Sequence, residues 1–352
     1  MIRLAEILAA HGPAYGAQFG GSIPTEQRAA VRAIRRCRTP ALGGQHYRCA
    51  CGKEHFAHHS CNHRACPRCG RDDALAWLAQ QRARLLPVPY FLVTLTVPEE
   101  LREPIRAAPR LWYGALLKES AGALQDLAAD PKHLGAQLGL SAVLQTWTRD
   151  LRYHPHVHLL VPGGGLSFDQ LRWVRVKDAQ FLVPQVKLAA RFKGRLQAWL
   201  QKEQPALFAQ VPAKVWWRKW VADVQPVGSG QAALKYLAAY LCRPPLHESQ
   251  LEHFDQRNVT FRYRENDGTQ QRVTVSGPEF VRRVLQHVLP KGFQRVRHFG
   301  WRGGAAQKKW ARILALLDWR PAVVIPPVPC PPPVCPACGK TMVLIGTRPR
   351  AP

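Results

Sequence analysis

His154-Pro155-His156-Val157-His158-Leu159-Leu160-Val161-Pro162-Gly163-Gly164-Gly165 sets three histidines at alternate positions ahead of an apolar run and a glycine turn. Alternate residues of a strand share a face, so His154, His156 and His158 present their imidazoles together while Val157 and Leu159 face a core. Such a row is either a metal-ligating face or a polar sheet face whose hydrogen bonds are met inside the chain. Pro155 has no N–H to give to a ladder, so the strand is expected to begin near His156, with His154 at its lip. His156 and His158 are then the stronger ligand pair.

Working outward, β-branched and aromatic residues over 88–97 predict a strand, and 101–127 reads as helix interrupted at Pro104 and Pro109. A strand over 138–147 pairs with the histidine strand across a turn near 150–153. An amphipathic helix covers 186–201, a strand candidate 215–227, and a helix 231–242 ends before Pro244-Pro245. The order strand, helix, strand, strand, helix, strand is that of a ferredoxin-like split βαβ sheet, so the fold class is α+β with one further helix.

That further helix carries Tyr236 and Tyr240, four residues apart and so on one face. Two tyrosines at this spacing are commonly packing residues. Tyrosine is also a covalent nucleophile, and a divalent cation held by two imidazoles would polarise a phosphodiester for its attack. The charge favours such a substrate. The 352 residues include 50 Lys plus Arg against 23 Asp plus Glu, a net charge of +27. A small-molecule enzyme needs no such field, whereas a protein that neutralises phosphates does. The leading reading is a DNA-nicking site.

Nine of the ten cysteines fall near the two ends of the chain, and only Cys242 stands apart. No apolar stretch is long enough to cross a membrane, and residues 1–10 lack a signal peptide's apolar block, so a cytosolic protein with metal-bound cysteines is expected. Cys49-x-Cys51 and Cys66-x2-Cys69 approach the knuckle spacing of a zinc ribbon, giving a structural zinc site of Cys49, Cys51, Cys66 and Cys69. Cys37, His46, Cys61 and His63 are candidates for a second site, with His46 and His63 otherwise surface or phosphate contacts. Cys330-x4-Cys335-x2-Cys338 repeats the spacing of Cys61, Cys66 and Cys69 and would need a borrowed fourth ligand. Between Val281 and Leu317 there is no acidic residue, while nine Lys and Arg alternate with Phe293, Phe299, Trp301 and Trp310. Those aromatics are either base-stacking faces or core. The expected domains are 1–86, zinc-binding with flanking helices; 87–245, nuclease; 246–320, a helical basic DNA-binding extension; and 321–352, a proline-rich tail.

Several stretches in this order resemble the HUH-type, two-tyrosine transposases of bacterial rolling-circle insertion sequences, with their N-terminal zinc-binding domain. They are Cys37-Arg38-Thr39 with Leu42-Gly43-Gly44, Ser60-Cys61 through Cys66-Pro67-Arg68-Cys69, His154–Gly165, Tyr236-Leu237-Ala238-Ala239-Tyr240, and His287-Val288-Leu289-Pro290-Lys291-Gly292-Phe293. The resemblance implies cleavage of single-stranded DNA at transposon ends by tyrosine, through a 5′-phosphotyrosine, followed by strand transfer. It implies Tyr236 and Tyr240 as nucleophiles and Mg2+ or Mn2+ on His156 and His158, with Gln145 as third ligand and His154 as the alternate. Lys235, or basic residues from Lys291 onward such as Arg295 and Arg297, would steady the phosphate. Two positions depart from the family pattern, where histidine is common at Gln145 and at Ala65. A replication initiator or relaxase of the same chemistry, or a non-catalytic zinc-dependent DNA-binding regulator, are the alternatives.

Overall fold

A computed structural model describes residues 1–241, 245–265, 267–324 and 331–350. Cys242 and Cys330 lie outside the described residues, as does the side chain of Tyr240. Helix α1 (Leu4–Phe19) buries Leu4, Ile7, Leu8, His11 and Tyr15, the apolar stripe of its sequence. Helix α2 (Thr25–Arg36) buries only Ala30 and Ile34 and turns Arg28, Arg32, Arg35 and Arg36 to solvent. Strands β1 (Gly44–Arg48) and β2 (Glu54–His58) form a hairpin with Cys49 and Cys51 in its turn. After a cysteine-bearing loop comes α3 (Arg71–Ala83).

The central unit then runs β3 (Tyr90–Thr96), α4 (Arg102–Ala107), α5 (Pro109–Ala129), β4 (Gly139–Trp147) and β5 (Tyr153–Pro162). It continues through a small hairpin, β6 (Gly164–Leu166) and β7 (Trp173–Arg175), to α6 (Gln185–Glu203), α7 (Pro205–Gln210), α8 (Lys214–Trp217), β8 (Val221–Pro226) and α9 (Gln231–Leu241). Strands β8, β3, β5 and β4 lie side by side, all antiparallel, in the order of a split βαβ fold. Alternation sorts the two faces. Phe91, Val93, Leu95, Val157, Leu159 and Val161 pack under α5 and α6 with Leu116, Leu124, Phe192 and Leu196. On the other face Tyr90, Val143 and Leu160 meet Leu234 and Leu237 of α9. The histidines share that second face with α9.

Two local readings are corrected. Strand β5 begins at Tyr153 rather than near His156, and the β4–β5 register shifts between Gln145 and Trp147, so that Pro155 falls at a bulge where no ladder N–H is required. The 215–227 stretch is not one strand but the turn of α8 followed by β8. Of its tryptophans, Trp216 and Trp220 are buried and stack with centroids 5.9 Å apart, with Trp220 edge-on to Phe192 and its Nε1 donating to the Val215 carbonyl over 3.0 Å, whereas Trp217 is exposed.

Beyond α9, β9 (Leu251–Phe254), β10 (Asn258–Arg264) and β11 (Gln270–Ser276) form a three-stranded antiparallel sheet leading into α10 (Gly277–Leu285). Their apolar faces join those of α1 and α2 in one core that includes Cys37, Cys66 and Cys69. Strand β12 (Val296–Gly300) then pairs with β4 as the fifth strand of the central sheet, before α11 (Gln307–Leu316). The expected boundary at 245/246 is therefore crossed by the sheet itself. At the end of the chain β13 (Val343–Arg348) pairs with β1, so the last strand completes the first sheet.

The aromatics of the basic stretch divide toward core. Phe293 is 5% and Trp301 1% exposed, and the Trp301 indole stacks on Trp310 and donates to the Gln137 carbonyl over 2.9 Å. Trp301 has no face free for a base. Trp301→Ala is expected to cost roughly 3–5 kcal/mol of stability, read as a lowered midpoint in thermal or urea unfolding.

Candidate functional site

On β5, the Nδ1–H of His156 donates to the His154 carbonyl over 2.7 Å, which leaves Nε2 with its lone pair free of that bond. His158 faces Thr94 of β3 through Nδ1, 3.0 Å from the Thr94 hydroxyl, and Gln145 of β4 through Nε2, 3.1 Å from Oε1. The Gln145 amide is turned into this position by its own N–H bond to the Trp147 carbonyl, 3.3 Å. Register explains the grouping. Gln145 and Thr96 flank His156 across the sheet, and Val143 and Thr94 flank His158, so Gln145 reaches His158 on the diagonal. Burial pushes the two imidazoles down, His156 to about 4 and His158 to about 3, so both are neutral near pH 7.

Neutral imidazoles suit a divalent cation, and spacing allows one. Two ligand atoms at about 2.1 Å from a six-coordinate ion lie roughly 3.0 Å apart at right angles, close to the 3.1 Å between His158 Nε2 and Gln145 Oε1. Binding would require the other His158 tautomer, with Nδ1–H donating to Thr94. His154 is set differently: Arg102 Nη2 donates to its Nδ1 over 3.1 Å, and its carbonyl orients His156.

Tyr236 stands over this pair. Its ring meets that of His158 edge to face, centroids 5.9 Å apart, and it is 39% exposed. A cleft of about 610 Å3 opens in front, lined by Gln145, His154, His156 and Tyr236 together with Arg149, Arg152 and Arg264. The cations and Tyr263, also in the lining, come from the 148–152 turn and from β10, which sequence reasoning did not connect to the site. Thr94 and His287 were likewise missed. His287 is buried and holds the floor through Thr146, 3.1 Å from Nδ1, and the Leu151 carbonyl, 3.1 Å from Nε2. Alternating polar residues at Thr94 and Thr96 were the available signal for Thr94. Lys235 is exposed on α9 and Lys291 is exposed, while the guanidiniums of Arg295 and Arg297 lie over Trp147 and Phe293, each 5.3 Å from the ring centroid.

The cysteines group otherwise than their spacing suggested. Cys37, Cys61, Cys66 and Cys69 converge, their Sγ atoms within 4.8 Å of one another, while Cys49 and Cys51 converge with Cys335 and Cys338. The expected set of Cys49, Cys51, Cys66 and Cys69 is not assembled. Five-residue β1 and β2 carry the turn with Cys49 and Cys51 to the far end of the hairpin, about 17 Å from its base, where the 60–70 loop lies. The second expected set fails as well. Cys37 and Cys61 join Cys66 and Cys69, whereas His46 stacks on Phe56 and bonds Glu54 over 3.0 Å, and His63 Nδ1 accepts from the Ala65 N–H. In the first tetrad Sγ atoms lie 3.5 Å apart for Cys37–Cys69 and 3.6 Å for Cys61–Cys69, against roughly 3.8 Å for thiolates at 2.3 Å from a tetrahedral zinc. Hydrogen bonds from Cys61 and Cys66 pull the Cys37 thiol down to about 2, while Cys37 pushes Cys61 up to about 12 and Cys66 up too. Four thiols that oppose one another's ionisation in this way are a donor set that a bound dication would let ionise together.

Comparison with known proteins agrees with this architecture. Residues 139–309 match the family model described as putative transposase, and residues 7–97 match that of a transposase zinc-binding domain. The putative transposase y4qJ of Sinorhizobium fredii is 37% identical over 320 residues, covering 85% of this chain and 80% of its own length. The transposase for insertion sequence element IS801 of Pseudomonas savastanoi pv. phaseolicola is 30% identical over 292 residues, covering 75% of this chain and 67% of its own. No solved structure matches the chain. These two matches place the chain in the class of DNA-acting transposases that carry an N-terminal zinc-binding domain. Within it, the chain belongs to the insertion-sequence transposase family that these two relatives represent. No helix among the described residues is long and apolar enough to cross a membrane.

Proposed function

We propose that this transposase cuts and rejoins single-stranded DNA at the ends of its element through a tyrosine–DNA intermediate formed in the cleft above β5. The observation that carries the reading is Tyr236 edge-on to His158, which in turn faces Gln145 Oε1 in a cleft walled by three arginines. The Tyr236 oxygen attacks the scissile phosphorus as its proton leaves. A P–O bond to tyrosine forms, the bond to the 3′-oxygen breaks, and that oxygen leaves as a 3′-hydroxyl after protonation. Attack of a 3′-hydroxyl on the phosphotyrosine reverses the step and seals the strand, so no external energy source is needed. Tyr240, one helical turn further along α9, is the proposed second nucleophile. Arg149, Arg152 and Arg264 hold the flanking phosphates, and Lys235, Lys291 and Arg295 extend that contact, whereas Arg297 lies against Gly114 of α5 on the opposite face of the sheet.

His156, His158 and Gln145 would hold Mg2+ or Mn2+, which supplies Lewis-acid polarisation of the scissile phosphate. In the 1–86 region, Cys37, Cys61, Cys66 and Cys69 would hold a structural zinc that fixes the DNA-recognising loop beside α2. Gln145→Ala is expected to weaken the apparent Mn2+ affinity of the nicking reaction by at least about 10-fold; Gln145→His restores it. Equal cation requirements in wild type and Gln145→Ala would remove Gln145 from the site. The reading itself is tested by incubating the chain with a single-stranded hairpin oligonucleotide from an element end and Mn2+. A complex that survives denaturant and carries the 3′ label of the oligonucleotide is expected, with the 5′-labelled fragment released bearing a 3′-hydroxyl. Strong, salt-sensitive binding with no such complex under any cation would support the non-catalytic regulator instead.

A further inference from the structure

We propose that Cys49, Cys51, Cys335 and Cys338 bind a second zinc ion that clasps the end of the chain onto its N-terminal domain. The four Sγ atoms lie within 4.8 Å of one another. They come from opposite ends of the sequence: Cys49 and Cys338 are 289 positions apart with Sγ atoms at 3.3 Å, and Cys51 and Cys335 are 284 apart at 3.6 Å. These distances exceed the roughly 2.0 Å of a disulfide and approach the tetrahedral edge of a zinc–thiolate site, roughly 3.8 Å. Neither family match, 7–97 nor 139–309, reaches residues 335–338.

Both halves have the backbone of a metal knuckle. Gly52 N–H donates to the Cys49 carbonyl over 2.9 Å and Cys49 N–H to the Lys53 carbonyl over 2.8 Å. The C-terminal half repeats this, with Gly339 N–H on the Cys335 carbonyl and Cys335 N–H on the Lys340 carbonyl, each 2.9 Å. The left-handed φ of Gly52 and Gly339, +85° and +71°, closes each turn. A donor set made only of thiols selects a soft or borderline ion over Mg2+ or Ca2+, and Lys53 and Lys340 offset its negative charge.

Apart from its ladder with β1, β13 has little apolar packing to hold it in place. The small core at this corner contains Tyr47 and Met342 besides Cys49 and Cys335 themselves, while Val343, Leu344 and Ile345 are 66%, 48% and 44% exposed. A strand with so little apolar cover depends on a cross-link. The clasp has a consequence for the surface. Arg348 and Arg350 come to line a groove with His59, Ser60 and Asn62, and Arg350 also lies with Arg32 and Arg36 of α2 and Cys61. The second ion thereby adds the chain end to the basic face of the zinc-binding domain. None of this depends on the identity of the nucleophile.

Native mass spectrometry of the reduced, full-length chain purified from zinc-supplemented culture tests the assignment. Two zinc ions per wild-type chain are expected, and one in Cys335→Ser/Cys338→Ser, with hydrogen exchange of the Val343–Arg348 amides accelerated at least about 100-fold in that variant. Cys338→His, which can still ligate zinc, should retain two ions and slow exchange even if the serine variant folds poorly. A single zinc per wild-type chain, bound iron, two ions in the serine variant, or unchanged exchange of the strand after loss of the second ion would each overturn the proposal.

Discussion

Tyr236→Phe is expected to lower the rate of strand cleavage by at least about 1,000-fold while leaving affinity for the same oligonucleotide within a few-fold of wild type. The phenol is asked to supply the covalent bond, and nucleophile removal in comparable enzymes costs this much or more because the rest of the site then acts on water alone. Packing should survive the change, since Phe retains the ring that meets His158 edge to face and Tyr236 is partly exposed. Single-turnover cleavage of a labelled element end, with binding measured separately, separates the two effects. A parallel loss of binding would make Tyr236 a DNA contact rather than the nucleophile. If Tyr240 substitutes on α9, residual cleavage in Tyr236→Phe should vanish in Tyr236→Phe/Tyr240→Phe.

Cys66→Ser is expected to cause a loss of stability that spreads well beyond its own loop. Cys66 is 1% exposed and its loop shares a core with Ile34, Leu246, Phe261 and Phe280, so failure of the tetrad reaches α2, α10 and the β9–β11 sheet together. Structural zinc contributes apparent energies on the order of 10 kcal/mol in small domains. Here the apolar core shares that burden, so a loss of at least about 3 kcal/mol is expected, lowering the thermal midpoint by roughly 6–12 °C. The variant should also bind one zinc fewer while Cys49, Cys51, Cys335 and Cys338 keep theirs. An unchanged midpoint with unchanged metal content would show that this tetrad is not a metal site.

The central sheet was legible because its signals are local. Alternation in Tyr90–Thr96 and Tyr153–Pro162 sets two faces, and the element order fixes a split βαβ topology that the strand order bears out. What depended on contacts distant in sequence was not legible. Pro155 marks a bulge only because β4 pairs with one residue fewer there. Trp301 reads as a stacking face until β12 is seen to join the sheet and carry it into the core. Cysteine spacing identified knuckles but not their partners, since the β1–β2 hairpin, not the interval in sequence, decides which thiols meet. The histidine pair, Gln145 and Tyr236 were named from sequence and lie around one cleft. The arginines that complete its wall come from turns whose approach no periodicity encodes.

In the proposed reaction a tyrosine of α9 becomes joined to DNA. Its most direct measurement is peptide mapping of the denaturant-resistant complex formed with an element-end oligonucleotide and Mn2+, after digestion with trypsin and nuclease. The expected result is a nucleotide-bearing phosphotyrosine on the peptide running from Tyr236 to Arg257, since trypsin does not cut between Arg243 and Pro244, and its absence from Tyr236→Phe/Tyr240→Phe. A nucleotide adduct on any other peptide, or a covalent complex that persists in the double variant, would contradict it.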